Sequence, residues 1–67
     1  MKDFDQEWTE LTNEYEVTEL IQINKIQSIQ PYGKTGTIIK YTGDPKSYKY
    51  KNTYTQVKQI IFNTYGH

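Results

Sequence analysis

Gly33-Lys34-Thr35 is the stretch of this sequence that comes nearest to a known chemistry, the cradling of phosphates by a glycine-rich loop. That chemistry needs a glycine five residues before the Gly-Lys pair, where Ser28 stands. It also needs a helix after Lys-Thr, so that backbone N–H groups aim at the phosphates. The residues that follow, Thr37-Ile38-Ile39-Lys40-Tyr41, are those of a strand. The run therefore reads as a hairpin loop. No other spacing supports catalysis. The chain has no cysteine and a single histidine, His67, at its last position, so no nucleophile–base pair can be assembled. Asp44 stands in a turn without partner ligands for calcium or magnesium. No enzymatic activity, cofactor or metal is expected.

Two patterns point to binding instead. In the first, Lys46, Tyr48, Lys49, Tyr50 and Lys51 interleave rings that could stack bases with cations that could follow a phosphate backbone. Tyr32, Tyr41 and Tyr54 could extend that platform. The same alternation describes an ordinary half-buried strand, tyrosines toward the core and lysines in solvent, and this simpler reading is favoured. The formal net charge of zero weighs the same way, because nucleic-acid-binding domains are usually basic overall.

The second pattern is charge segregation. Residues 1–24 hold Asp3, Asp5, Glu7, Glu10, Glu14, Glu16 and Glu19 against Lys2, whereas residues 25–67 hold seven lysines against Asp44. Such a dipole bears on partners rather than on fold. Glu7, Trp8, Glu10, Leu11, Glu14 and Tyr15 are the expected contacts to a protein partner, the acids steering a basic surface and the apolar residues anchoring it. Alternatively the acids fold back on the chain's own lysines, or imitate phosphates in the groove of a nucleic-acid enzyme.

Sixty-seven residues allow one domain, spanning 1–67, with a marginal core. Homodimerisation is a natural way for so small a chain to gain burial. The start lacks the basic and apolar regions of a signal peptide, and no apolar run approaches a membrane span. A cytoplasmic, cysteine-free protein is expected.

The elements follow from periodicity. Phe4, Trp8, Leu11 and Tyr15 recur at helical spacing, so residues 1–15 are expected to hold an acidic amphipathic helix over roughly 4–14. The rival reading makes Trp8–Leu11 a strand that turns at Thr12-Asn13 into a return strand. Tyr15, Val17, Ile21 and Ile23 share one parity, and a bulge or short turn at Asn24-Lys25 would bring Ile26 back to the inner side. Three strands from Ile26 to Lys51, punctuated at Gly33–Gly36 and Gly43–Lys46, predict a β-meander within 16–52. Thr53-x-x-Gln56 matches a capping box ahead of Val57, Ile60, Ile61 and Tyr65, predicting a C-terminal helix over 53–65. The expected class is α+β: an acidic N-terminal helix, a three- to four-stranded antiparallel sheet and a short helix packed on one face.

The run Ile21-Gln22-Ile23-Asn24 with Ile26 and Ile29, then Thr37-Ile38-Ile39, a glycine turn and a capped helix bearing Val57, Ile60 and Ile61, resembles the small FlbD/SwrD-like flagellar proteins of bacteria. The isoleucines three apart are also similar to the opening of LytTR-like β modules that bind DNA. Over residues 17–62 the resemblance implies a small β-rich module and transfers no functional residue. The chain departs from the first family in lacking an Asn-Gly hairpin before the isoleucine strand, and it is shorter than the second. Its Lys- and Tyr-rich, cysteine-free composition looks like that of small phage accessory proteins. The expected function is that of a non-enzymatic regulator or inhibitor, from a phage or mobile element, acting through protein–protein contact. The alternatives are a nucleic-acid-binding module using the Lys/Tyr strand and a structural component assembling through strand edges.

Overall fold

Trp8–Thr12 is a strand, β1, where the apolar spacing favours a helix. In the computed structural model, which describes residues 8–65, β1 pairs antiparallel with β2, Thr18–Gln22, from Trp8↔Gln22 to Thr12↔Thr18. The rival hairpin reading is the correct one for these residues, and Phe4 and Glu7 lie outside those described. Asn13 explains the reversal. Its Oδ1 accepts from the N–H groups of Tyr15 (2.8 Å) and Val17 (3.1 Å), and the Glu16 N–H reaches the Asn13 carbonyl at 3.0 Å. Asparagine offers the backbone this local alternative to a helix, and the strand-favouring Thr9 and Thr12 add to it. Leu11 is then buried inside while Trp8 and Glu10 point outward, so Trp8, Leu11 and Tyr15 share no face.

After β2 the chain turns a corner through a 3-10 turn at Ile23–Lys25, which buries Ile23. This is the short turn that the broken isoleucine parity required, and a register shift between Ile26 and Ser28 follows it. Strands β3 (Ile26–Tyr32), β4 (Gly36–Tyr41) and β5 (Ser47–Tyr50) form the expected antiparallel meander in the order β3-β4-β5. Pro31 is accommodated because β3 pairs on one side only among the described residues. The described strands therefore number five in two sheets, rather than three or four in one.

The two sheets meet end to end. Asn13 bridges Tyr50, the Lys51 N–H donates to the Thr12 carbonyl at 2.7 Å, and the Glu14 N–H donates to the Lys49 carbonyl at 3.1 Å. The Asn52 Oδ1 accepts from the Thr12 N–H at 2.8 Å. A single bridge and these hydrogen bonds thus link the tip of the β1–β2 hairpin to the end of β5, and the two sheets share one core.

Inside it lie Leu11, Ile21, Ile39 and Tyr50, with Val57 from α1 (Tyr54–Tyr65) packed among them. The capping box is formed: the Gln56 N–H donates to Thr53 Oγ1 at 3.1 Å and the Thr53 N–H to Gln56 Oε1 at 2.9 Å. Ile60 and Ile61 then rest against the core as their spacing requires. Thr37, fully buried, donates its hydroxyl to the Asn52 carbonyl at 2.7 Å, which satisfies a polar group that burial would otherwise penalise.

Candidate functional site

Tyr48 and Tyr50 belong to the interior. Register places Ile29, Ile39 and Tyr48 in one row and Pro31, Thr37 and Tyr50 in the next, both facing the core. Tyr50 is 2% exposed, and Tyr48 packs against the core with its ring centroid 5.6 Å from that of Tyr41. The simpler sequence reading of these two tyrosines therefore holds, and neither offers a free ring for stacking. Lys46 sits in the β4–β5 turn, its N–H bonded to Asp44 Oδ1 at 2.9 Å. Of the five residues in the Lys/Tyr run, the tyrosines face inward, while Lys46 and Lys51 are exposed and Lys49 is half-buried on the outer side.

The tyrosine hydroxyls form a polar chain. Tyr50 donates to Glu19 Oε1 at 3.2 Å and lies 2.7 Å from the Tyr41 hydroxyl, while Asn13 Nδ2 donates to Glu19 Oε2 at 2.7 Å. Tyr48 donates to Asp44 Oδ2 at 2.7 Å. Desolvation is the main cause that raises the pKa of Tyr41 and Tyr50, and the hydrogen bond to the Asp44 carboxylate is the main cause for Tyr48. All three are held neutral, which is the wrong direction for a phenolate nucleophile or base. This chain of hydroxyls fixes the hairpin against β5.

A test follows from the sign. Tyrosines whose folded pKa lies above the ordinary 10 stabilise the fold fully below pH 10, and that stability is lost as pH rises through the raised values. Absorbance titration is expected to show a tyrosine fraction that ionises late, in step with the loss of the circular dichroism signal. Ionisation of every tyrosine near pH 10 with the fold intact would contradict the network.

Two outer surfaces remain. The first is the outward side of the β1–β2 hairpin and its tip. Trp8 pairs across from Gln22 and Glu10 from Leu20, so Trp8 and Leu20 are diagonal neighbours on one face. Leu20 is 62% exposed and Tyr15, at the tip, 77%; Val17 is also exposed. Glu10, Glu14 and Glu16 are exposed among them. Of the expected partner contacts, Trp8, Glu10, Glu14 and Tyr15 thus lie on this accessible hairpin, whereas Leu11 is 1% exposed and belongs to the core. Sequence reasoning missed Leu20. Its parity opposite Ile21 was the available signal.

The second surface is the outer face of the meander, where Tyr32 is 46% exposed and Lys49 places its ammonium 5.0 Å from the centre of the Tyr32 ring. An open groove of about 580 Å³ lies there, lined by Tyr32, Lys34, Lys49 and Lys51 above Gly33 and Gly36, with Glu14 on its rim. Lys51 also meets Glu16 at 2.7 Å, and that contact, first through its hydrogen bond and then through its charge, lowers the pKa of the exposed Glu16 carboxyl. This pair is the measurable part of the docking of acids on the chain's own lysines.

No family model, curated protein or solved structure matches this chain. The functional reading rests on the two surfaces themselves. Among the described residues no group of three or more His, Cys, Asp or Glu is placed to hold a metal ion, and no helix is long and apolar enough to cross a membrane.

Proposed function

We propose that this chain is a non-enzymatic binding module, a small regulator or inhibitor that lays its β1–β2 hairpin on a partner protein. The observation that carries the reading is the concentration of exposed apolar side chains on one element. Trp8, Tyr15, Val17 and Leu20 account for four of the six large apolar residues exposed among the described residues, and Glu10, Glu14 and Glu16 stand between them. Isolated exposed apolar residues need no explanation, but four on one short hairpin, Trp8 and Leu20 side by side on a face and Tyr15 and Val17 at the tip, are a concentration that a protein contact would cover. The partner this surface fits is a folded protein with an apolar cleft bordered by lysine or arginine. Trp8 and Tyr15 supply anchors of the type that dominate interface energetics, and the glutamates steer the approach.

Site-specific photo-crosslinking from position 20, in cells that make the protein, tests this reading. The expected result is one adduct of discrete mass that disappears when Glu10→Lys and Glu14→Lys are combined, with the circular dichroism spectrum unchanged. An adduct that survives those substitutions would overturn the proposal. So would an adduct of twice the chain's own mass, since that would assign the surface to self-association, for which the edge of β2 that pairs with no other strand among the described residues is the available template.

A further inference from the structure

The charge segregation has a structural outcome beyond the hairpin: β3, β4 and β5 contain no carboxylate at all. Their outward positions follow from the register. Gln30, Ile38 and Lys49 make one row, and Ser28, Lys40 and Ser47 the next. Tyr32 pairs with Gly36 at the end of the β3–β4 ladder, beside the loop that carries Lys34. Hence a chain of zero net charge presents a sheet face whose ionised groups are all ammonium. Acids stand only at its edges: Glu14 and Glu16 from the tip of the other hairpin at the groove end, and Asp44 in the β4–β5 turn, where it is held by the Lys46 N–H and the Tyr48 hydroxyl.

We infer that this face, through Tyr32, Lys34, Ile38, Lys40, Lys49 and Lys51, binds single-stranded nucleic acid. Three features select that ligand. The face combines an exposed ring and the half-buried Ile38 with lysines set diagonally across β4 and β5, Lys40 opposite Ser47 and Lys49 opposite Ile38. This supplies a stacking surface and a track for a phosphate backbone side by side. The groove at Tyr32, about 580 Å³, falls within the range of about 300–1,000 Å³ that small-molecule sites occupy, so it can receive a base turned out of a strand. A duplex keeps its bases paired and stacked, and offers none to the groove at Tyr32. In the free protein Lys49 covers the Tyr32 ring. A phosphate draws that ammonium aside and leaves the ring for the base. The site takes lysines from the Lys46–Lys51 run but its ring from Tyr32, because Tyr48 and Tyr50 are committed to the interior.

Glu16 makes the inference separable from folding. Its carboxylate holds Lys51 at 2.7 Å, and Glu16 itself adopts a φ of 66°, a conformation that asparagine accepts more readily than glutamate. Glu16→Asn therefore frees a phosphate contact without disturbing the turn.

The test is fluorescence anisotropy with a labelled oligothymidylate, repeated between about 50 and 200 mM salt. Three or four lysine–phosphate contacts give a slope of log affinity against log salt of about −2 to −3. Lys40→Glu with Lys49→Glu is expected to lower affinity tenfold or more and to flatten the slope. Tyr32→Ala is expected to lose about tenfold with the slope unchanged, as removal of one stacked base does. Glu16→Asn is expected to gain a few-fold, an outcome that unfolding cannot produce. Absence of binding at the lower salt overturns the inference. So does equal affinity for a duplex or for inorganic polyphosphate, or a Tyr32→Ala protein that binds as the parent does. Glu10→Lys alters the hairpin face without touching the groove, which Glu14 rims, so Glu10→Lys alone distinguishes the failure of one surface from that of the other.

Discussion

Ile39→Ala is expected to leave the chain largely unfolded at room temperature. Ile39 is fully buried where β4 passes beneath Leu11, Tyr50 and Val57, in the middle strand of the meander. Truncating a buried isoleucine to alanine costs about 2–5 kcal/mol, the upper end applying where neighbours cannot collapse into the space. Here the neighbours come from β1, β5 and α1, three elements already fixed by hydrogen bonds to one another or by a cap. A chain of 67 residues has a total stability of roughly 3–10 kcal/mol. Its small size places it toward the lower part of that interval. The substitution therefore removes most of what is available. Urea denaturation followed by circular dichroism is the check, with a slope of about 1 kcal/mol/M expected for so short a chain. A midpoint displaced by only a few tenths of a molar would contradict this account of the core.

Gly36→Val is the second large effect, and its cause is space rather than backbone freedom. A Cβ at position 36 would lie 3.0 Å from the Tyr50 carbonyl oxygen, 3.1 Å from the Tyr32 carbonyl oxygen and 3.3 Å from Tyr32 Cδ2. Two of those three atoms are backbone, held by the β3–β4 and β4–β5 ladders, and cannot move alone. Valine adds two methyl groups to the same site, so the strands must part. Overpacking of this kind costs about 1–3 kcal/mol and occasionally more. The same displacement would open the floor of the groove under Tyr32. Gly36→Val is thus expected to lower the thermal midpoint by several degrees and to weaken binding at the sheet face together. Gly33→Ala differs. Nothing lies near its added carbon, and the strain arises only from a φ of 66°. It should cost about 1 kcal/mol and leave the β-ladders intact. Comparable losses in the two variants would contradict the steric argument.

What was legible in the sequence was local. Ser47-Tyr48-Lys49-Tyr50 announced its strand by alternation, Gly43 and Asp44 announced the turn before it, and Thr53 with Gln56 announced the helix by a reciprocal cap spanning four residues. The front of the chain was ambiguous because Trp8, Leu11 and Tyr15 fit a helical face, while the interactions that decide otherwise are distant. Asn13 is held by Glu19 and Tyr50, and Thr12 by Asn52. Long-range pairing overrode the local period, as it does for short apolar runs. The acidic helix is accordingly absent from residues 8–15, and the acids ride on a hairpin instead. Val17 and Tyr15 share parity with buried Ile21, yet both are exposed because the turn interrupts the alternation before β2 begins. The sheet-face lysines were visible in the Lys/Tyr run. Their companion ring was not, because Tyr32 reaches Lys49 only through the β3–β4–β5 register.

The seam where β1 meets the end of β5 also governs how the molecule assembles. Thr12 and Asn52 are 40 positions apart, whereas the β1–β2 hairpin, the β3–β4–β5 run and α1 are each built from near neighbours. Ordering the long intervening segment precedes any reward from that join, so it belongs late on the folding route. Weakening the seam, as Asn52→Ala would, should accelerate unfolding far more than it slows refolding.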